Sequence, residues 1–465
     1  MKKVLATVAA LGLVLGVAAN ALALDKPGRA SEVETTTAPV VPQPTAPGVA
    51  LWSVAGQWVL AGAYLSNGYG LPGGAAIQEA PGIGDANDAF YIYSFKVLPV
   101  LQVNDKIAMK GEFRFADRDV FGLTDNTKYI PSGLAGENSD LGGRVIDTYQ
   151  LYMEWTSPWG KTRFGRTPAG AWGSKFNNNG AQGNRLMWWP NMLPENWGAL
   201  IFTQKITEQD AGGNADISDQ DRDGYYVDLS YKASFGKTIG ALWVDRHAEG
   251  GAGDPYTKMQ FRLGGNYTFD AISLEYELNY DFGEESATVD EKSLGLYADL
   301  GYKMQDWKIG GLFIYASGDD NLADNDAEAF LSGANGAGKD FNPTQILFGD
   351  YMNILNGDNP LAGDQIRGDV AAAGVWAVEG YASYAMSPAL SLSGYFAYAA
   401  ANEEPTGFDS DYGMEAGIGL AYKLMDNLTY NAHFSYLWTG DFFKFDSNES
   451  TQDIYLLAHA LSMKF

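Results

Sequence analysis

From Leu51 to Phe465 the chain breaks into segments of about ten residues in which apolar and polar side chains take turns. The clearest runs from Ala271 to Gly283, where Ile272, Leu274, Tyr276, Leu278, Tyr280 and Phe282 alternate with Ser273, Glu275, Glu277, Asn279 and Asp281. The segment before it sets Met259, Phe261, Leu263 and Tyr267 against Lys258, Gln260, Arg262 and Asn266. Leu428 to Trp438 sets Tyr430, Phe434 and Tyr436 against Asn431, His433 and Ser435. A period of two places such sets on opposite faces of a strand. A face that is polar throughout cannot be the dry core of a sandwich, but it can line a wet lumen. No uninterrupted apolar run of membrane-helix length follows Leu24, so a membrane crossing would have to be made by strands. Strands persist in lipid only when the sheet closes and no backbone group is left unpaired. The pattern predicts an all-β, transmembrane antiparallel barrel over 49–465.

The connections add a second constraint. Short links near Val103-Asn104-Asp105, Ser157-Pro158-Trp159-Gly160, Phe235-Gly236-Lys237, Phe269-Asp270, Gln305-Asp306, Ser387-Pro388 and Met425-Asp426-Asn427 recur along the chain. Between them fall longer polar stretches near 66–87, 118–143, 168–183, 209–223, 248–255, 283–291, 318–373, 401–410 and 441–451. Barrels of this kind have short periplasmic turns and long extracellular loops. Seventeen segments are plain, and their directions clash between Trp197–Glu208 and Gly224–Ser234. A short strand at Asn184–Trp189, turned at Pro190 to Asn196, restores the alternation. The total becomes eighteen, with both termini periplasmic; sixteen is the alternative. Tyr276, Tyr302, Trp307, Tyr422, Tyr430 and Trp438 collect near strand ends, where an amphipathic ring suits the headgroup level.

The two ends of the chain agree with this reading. Met1 to Ala23 has two lysines, an apolar run from Val4 to Ala18 and Ala21-Leu22-Ala23, the pattern of an export signal cleaved after Ala23. Asp25 to Gly48, rich in Pro, Thr and Ala, reads as a disordered periplasmic linker within 24–48. At the other end Leu457, Leu461, Met463 and Phe465 share one face and Ala458, Ala460, Ser462 and Lys464 the other. A chain that stops on an amphipathic strand leaves an unprotected edge unless that strand closes a ring. Loss of the signal moves the formal charge from −26 to −28, which argues against nucleic-acid partners. The absence of cysteine excludes disulfides, iron–sulfur clusters and attached c-type haem.

Charged residues on the polar faces are the candidate pore lining. Lys110, Glu112 and Arg114 oppose Ile107, Met109, Phe113 and Phe115. Two strands on, Lys161 and Arg163 face in beside an outward Phe164. Lys258 and Arg262 belong to the polar set of their strand, and Glu275, Glu277, Asp299 and Glu379 face in further round. In a ring of eighteen, nine positions is diametric, so a basic arc faces an acidic one. Such a field orients polar solutes; the alternative is a set of intraluminal ion pairs. The long loop Ser317–Ala373 joins an acidic part, SGDDNLADNDAE, to an apolar one, Gln345–Leu355. The apolar part is expected to fold inward or over the mouth as a constriction, and the acidic part to stay solvated. Asp219, Asp221 and Asp223 in D-x-D-x-D-G resemble the start of a calcium loop, although position twelve is Ser230. A solvated acidic loop is the competing reading, and no other cofactor is indicated. His247, His433 and His459 are isolated, and no nucleophile, zinc spacing or P-loop accompanies them, so no enzyme is expected.

The whole pattern from Leu51 resembles bacterial outer-membrane porins, and more loosely the eighteen-strand substrate-specific and alginate-export channels. The local likeness is Thr162-Arg163-Phe164-Gly165-Arg166-Thr167-Pro168, followed by a glycine- and asparagine-rich stretch and Asn184-Arg185-Leu186. That resemblance implies pore-lining roles for Arg163, Arg166 or Arg185, although parity places Arg166 with outward Phe164. It also implies a place in the outer membrane of a Gram-negative bacterium, among its lipid and lipopolysaccharide. Recognition of the last strand by the barrel-assembly machinery and passage of small hydrophilic solutes follow from it too. Monomer and homotrimer both stay open. Three roles fit: a passive diffusion channel, a substrate-selective transporter or exporter, and a barrel sheath for a periplasmic partner such as a multihaem cytochrome.

Overall fold

A computed structural model describes residues 51–66, 88–120, 146–168, 174, 176–177, 182–208, 221–248, 255–286, 288–321, 324–330, 341–349, 373–444 and 451–465. The export signal and linker expected over 1–48 lie outside these residues. The first strands are β1 (Leu51–Ser66), β2 (Asp88–Gln102), β3 (Ile107–Val120), β4 (Asp147–Ser157), β5 (Gly160–Pro168) and β6 (Gln182–Pro190). Next come β7 (Trp197–Thr207), β8 (Arg222–Ala233), β9 (Gly236–His247), β10 (Tyr256–Phe269), β11 (Ile272–Ser286), β12 (Val289–Met304) and β13 (Trp307–Ala316). The two-residue β14 (Asp326–Ala327) is followed by β15 (Val375–Ala385), β16 (Leu390–Ala400), β17 (Asp411–Met425), β18 (Leu428–Thr439) and β19 (Ile454–Lys464).

Every strand except β14 pairs antiparallel with its neighbours, and β19 returns to pair with β1, so eighteen strands close a barrel. The seam runs from Gln57 opposite Lys464 to Ser66 opposite Tyr455. It ends on two backbone bonds, Gly56 N–H to Phe465 O at 2.8 Å and Phe465 N–H to Gly56 O at 3.1 Å. No strand edge is left open, which is what lipid demands of a sheet. The short strand inserted on grounds of direction exists as β6, and eighteen rather than sixteen is the number.

The turns at one end are tight, and their chemistry is local. Asn104 Oδ1 accepts the N–H groups of Lys106 and Ile107, both at 2.9 Å, and so closes the β2–β3 turn. Gly160 has φ 135°, and a Cβ there would lie 2.0 Å from the Trp189 carbonyl oxygen, so only glycine opens β5 beneath β6. At the other end one expectation fails. The long loop placed at 283–291 is instead a hairpin in which β11 and β12 continue pairing to Ser286 opposite Val289, through a bulge between Glu284 and Ser286. Charged residues there read as loop, but the hairpin holds them: Glu284 is exposed, and Glu291 is buried against Lys258 at 2.9 Å. β14 adds to this hairpin, pairing Asp290 with Asp326 and Glu291 with Ala327 in parallel.

Side chains sort by parity as expected. The outer face carries exposed Trp52, Phe164, Leu186, Leu300, Ile418, Leu457 and Phe465. Among the strand-end aromatics, Tyr302, Tyr422 and Trp438 are exposed on it. The inner face carries Glu112, Arg185, Glu277, Asn279, Ser293 and Glu415. It is not polar everywhere. Met187, Leu200, Phe202, Tyr226, Ile239 and Ala241 form an apolar cluster on the inner side of β6–β9, against Trp189 and Trp243.

Candidate pore and its inward-folded loops

On the wall formed by β2–β6, cations surround two carboxylates. Glu154 of β4 lies 3.0 Å from Lys110, 2.7 Å from Arg163 and 4.0 Å from Lys161. Glu112 lies 2.9 Å from Arg114 and 3.5 Å from Lys96. Aromatic rings back the same cations: Arg114 sits 3.1 Å over Tyr149, Arg163 about equally over Tyr152 (5.2 Å) and Trp189 (5.0 Å), and Lys161 4.5 Å over Trp189. Cations therefore gather on β3 and β5, but in excess over buried Glu112 and half-buried Glu154 rather than as bare charge. Glu154 and Lys96 were missed because their own strands show too few charges to reveal a face. Arg185 donates to Gln204 Oε1 and the Thr167 carbonyl, both at 2.7 Å. Arg166 stands opposite outward Leu151 and donates to the Tyr149 carbonyl at 3.1 Å, as its parity required.

Across the ring the acids are held more deeply. Lys258 bridges Glu285 at 2.6 Å and Glu291 at 2.9 Å, and Arg262 lies within electrostatic reach of Tyr226, Asp281 and Glu277. Tyr297 donates to Glu275 at 3.4 Å and Tyr381 to Asp299 at 2.6 Å. Glu112, Arg185, Glu277 and Glu379 face inward but are no more than 7 % exposed, so they do not border open water. That corrects the simple picture of a lumen lined by solvated charges.

Two loops reach inward onto buried carboxylates, Glu277 and Glu415. Ser174, in the β5–β6 connection, donates its N–H (2.8 Å) and hydroxyl (2.6 Å) to Glu277 Oε2. Asn177 donates to Gln260 at 2.9 Å and Asn279 at 3.1 Å. The loop between β13 and β15 does the same on β17. The N–H groups of Gln345 (2.9 Å) and Ile346 (3.0 Å) point at Glu415 Oε1, and that of Leu347 (2.8 Å) at Oε2. Tyr395 donates to the same Oε1 at 2.5 Å. Thr344 Oγ1 accepts the Phe348 N–H at 3.0 Å, which curls the segment so that successive amides converge. A buried carboxylate without partners would cost several kcal/mol; here the loop's backbone supplies them.

The two loops also meet each other. Phe176 packs edge-on against Phe341 at 5.3 Å and stacks on Tyr297 and Phe330 at 5.8 Å. Ile346, Leu347 and Phe348 are buried in this cluster with Ile314, Val375, Tyr412 and Leu437. The apolar part of the long loop folds inward, as expected for its described portion; 350–355 lies outside the described residues. In the acidic part Asp320, Asn321, Asp324 and Asn325 are exposed.

The remaining candidates divide. Asp221 and Asp223 both close on the Lys205 ammonium, Asp223 at 3.1 Å. Asp219 lies outside the described residues. The terminal set sits on the outer face of the seam, with Leu457 and Phe465 exposed, Leu461 and Met463 partly so, and Phe465 stacked 6.3 Å from Phe95. At the rim formed by the tight turns Lys232, Lys237, Lys303, Lys308, Lys423 and Lys464 all occupy inward positions within three residues of a strand end, a feature sequence reading did not single out.

No family model matches the chain, and no curated protein matches it. Among solved structures, OccK9 (OpdG) of Pseudomonas aeruginosa aligns with 89% of this chain and 99% of its own, at 14% identity and a TM-score of 0.53. The chain has the fold of these porins. OpdQ of the same organism (11% identity, 89% and 98% covered, TM-score 0.51) and a BenF-like porin from Pseudomonas fluorescens Pf-5 (11%, 89% and 99%, 0.50) agree. At such identity the likeness is one of fold, and the site must be argued from its own residues.

Proposed function

We propose that this chain is an outer-membrane porin of a Gram-negative bacterium, a passive diffusion channel for small hydrophilic solutes and ions. The observation that carries the reading is a closed barrel with an apolar outer face and charged walls inside, narrowed by two inward loops. A soluble barrel would gain nothing from exposing Trp52, Phe164, Leu300 and Ile418 together, whereas a bilayer covers them. A net excess of cations on β2–β6 opposite the acids of β11, β12 and β15 gives a solute in the lumen a transverse field. The protein supplies a hole, a field and a constriction, and no cofactor is required. Calcium titration should give no heat above the buffer blank, since Asp221 and Asp223 are turned onto Lys205.

The test is current through the refolded mature protein in a planar bilayer under a salt gradient. Stable steps support the channel, and the reversal potential reports which wall dominates. A folded, heat-modifiable barrel that passes no current would overturn it. A substrate-selective transporter is the second reading, favoured by the aromatic cluster of Phe176, Tyr297, Phe330 and Phe341 in the lumen. Block of ion current by one solute and not by its neighbours would choose it. Co-purification of a periplasmic cytochrome, with no conductance from the protein alone, would choose the sheath.

A further inference from the structure

Inside the periplasmic mouth, the ends of β7–β10 line an open, solvent-facing cavity of about 750 Å³ whose walls include Asn196, Ser230, Lys232, Lys237, Asn266 and Thr268. Lys232 and Lys237 stand directly opposite each other on β8 and β9, on the inward face shared with Ser230 and Ile239. Like charges directly opposite across a strand pair are destabilising, so something must offset the repulsion. No carboxylate pairs with them directly: among the described residues none lies within 4 Å of either ammonium. The inward acid four residues up β8, Asp228, lies within electrostatic reach of Lys237, but its hydrogen bonds go to the Leu200 N–H at 3.0 Å and the Tyr226 hydroxyl at 3.1 Å. Glu275 lies in the same row, but Asn266 stands between it and Lys237. Deeper in the lumen, Lys110 and Lys258 have carboxylates at 3.0 Å and at 2.9 Å or closer. In the second directly opposed pair, Lys303 and Lys308, the Lys308 ammonium lies 5.1 Å over the Tyr381 ring.

We propose that Lys232, Lys237 and the polar walls of this cavity form a binding site for a small oxyanion carrying two negative charges. Two ammonium groups on one face present two charges to one guest, and the Asn266 amide and the Thr268 hydroxyl supply neutral donors for its remaining oxygens. A monovalent anion would satisfy one lysine and leave the other. The site rests on the wall of the barrel and not on conduction, so it stands or falls separately from the channel reading.

The experiment is calorimetry of the refolded, detergent-solubilised full barrel with inorganic phosphate and with sulfate, at constant ionic strength set by chloride. Both anions should bind saturably at pH 7.5. Sulfate should bind equally well at pH 5, while phosphate, by then a singly charged ion, should bind more weakly. Lys232→Gln with Lys237→Gln should weaken both at least tenfold, and Lys303→Gln with Lys308→Gln should leave them unchanged. Heat-modifiable migration checks that each variant folds, and the single Lys232→Gln, at an exposed position, serves if the double variant does not. Absence of saturable binding overturns the site. So does equal loss in both double variants, which would mean only the general field of the rim.

Discussion

Glu415 shows how much one side chain decides. It is fully buried, it faces the lumen, and its oxygens gather three backbone amides from a loop whose docking depends on it. Glu415→Gln keeps the shape but replaces an anion by an amide that can accept at only one oxygen. Hydrogen bonds to charged groups contribute about 1.5–3 kcal/mol, so the loop should leave its seat roughly tenfold or more as often, read as flickering to a higher conductance level. Unchanged single-channel records would show that Glu415 does not latch the loop. Outside the spanning strands, partial burial and Asp320, Asp319, Asp326 and Asp324 push the Glu328 carboxyl above the usual carboxylate range. The folded segment thus holds a proton more tightly than the unfolded one, and its stability falls as pH rises through that range. Proteolytic nicking within 317–330 should slow on acidification, and Glu328→Gln should flatten the dependence. Parity alone revealed that Glu277 and Glu379 face inward. It could not reveal that Ser174 covers Glu277, or that the 345–347 amides seek out Glu415, because both come from loops without periodicity.

Elements were legible wherever pairing forces a pattern. β6 was found although it is short and weakly alternating, because chain direction must reverse at every strand and an odd count cannot return the chain to its start. The β11–β12 hairpin was cut short for the opposite reason: the charged Glu284 and Glu285 look like loop although the strands go on pairing there. The seam is the element most open to attack. A Cβ on Gly56 would lie 2.3 Å from the Phe465 ring, so Gly56→Leu must displace the terminal aromatic from its place beside Phe95. The variant should lose the heat-modifiable form on semi-denaturing gels, while Gly394→Ala, whose Cβ meets only ordinary contacts, should keep it. Removing 341–349 should raise single-channel conductance, since that segment occupies the lumen against β13, β15 and β17. Conductance and solute block that stay as they were would place the constriction elsewhere.

For the molecule as a whole, the ring of eighteen fixed which walls face each other before any contact was known. What composition could not fix is where the surplus of acid lies. Many described carboxylates lie toward the loops, from Asp221 and Asp245 through Glu285 and Glu291 to Asp319–Asp326 and Asp409–Asp411, whereas on the inner rim at the other end lysines outnumber turn acids such as Asp270, Asp306 and Asp426. A closed ring also divides function cleanly: the outer face answers to lipid, the inner face to water, and neither can be altered by sliding a strand one residue without exchanging them.

That lengthwise separation of charge has an electrical consequence. A narrow conduit whose two ends bear fixed charges of opposite sign is a diode, because one polarity fills it with mobile ions and the other empties it. Currents at equal positive and negative voltages should therefore differ for barrels inserted in one orientation. Their ratio should fall toward one in 1 M salt, where fields reach only about 3 Å. Neutralising Lys303, Lys308 and Lys464 together should do the same at low salt. A bacterium carrying such a barrel would hold, in each copy, a wall fitting that conducts more readily in one direction than in the other.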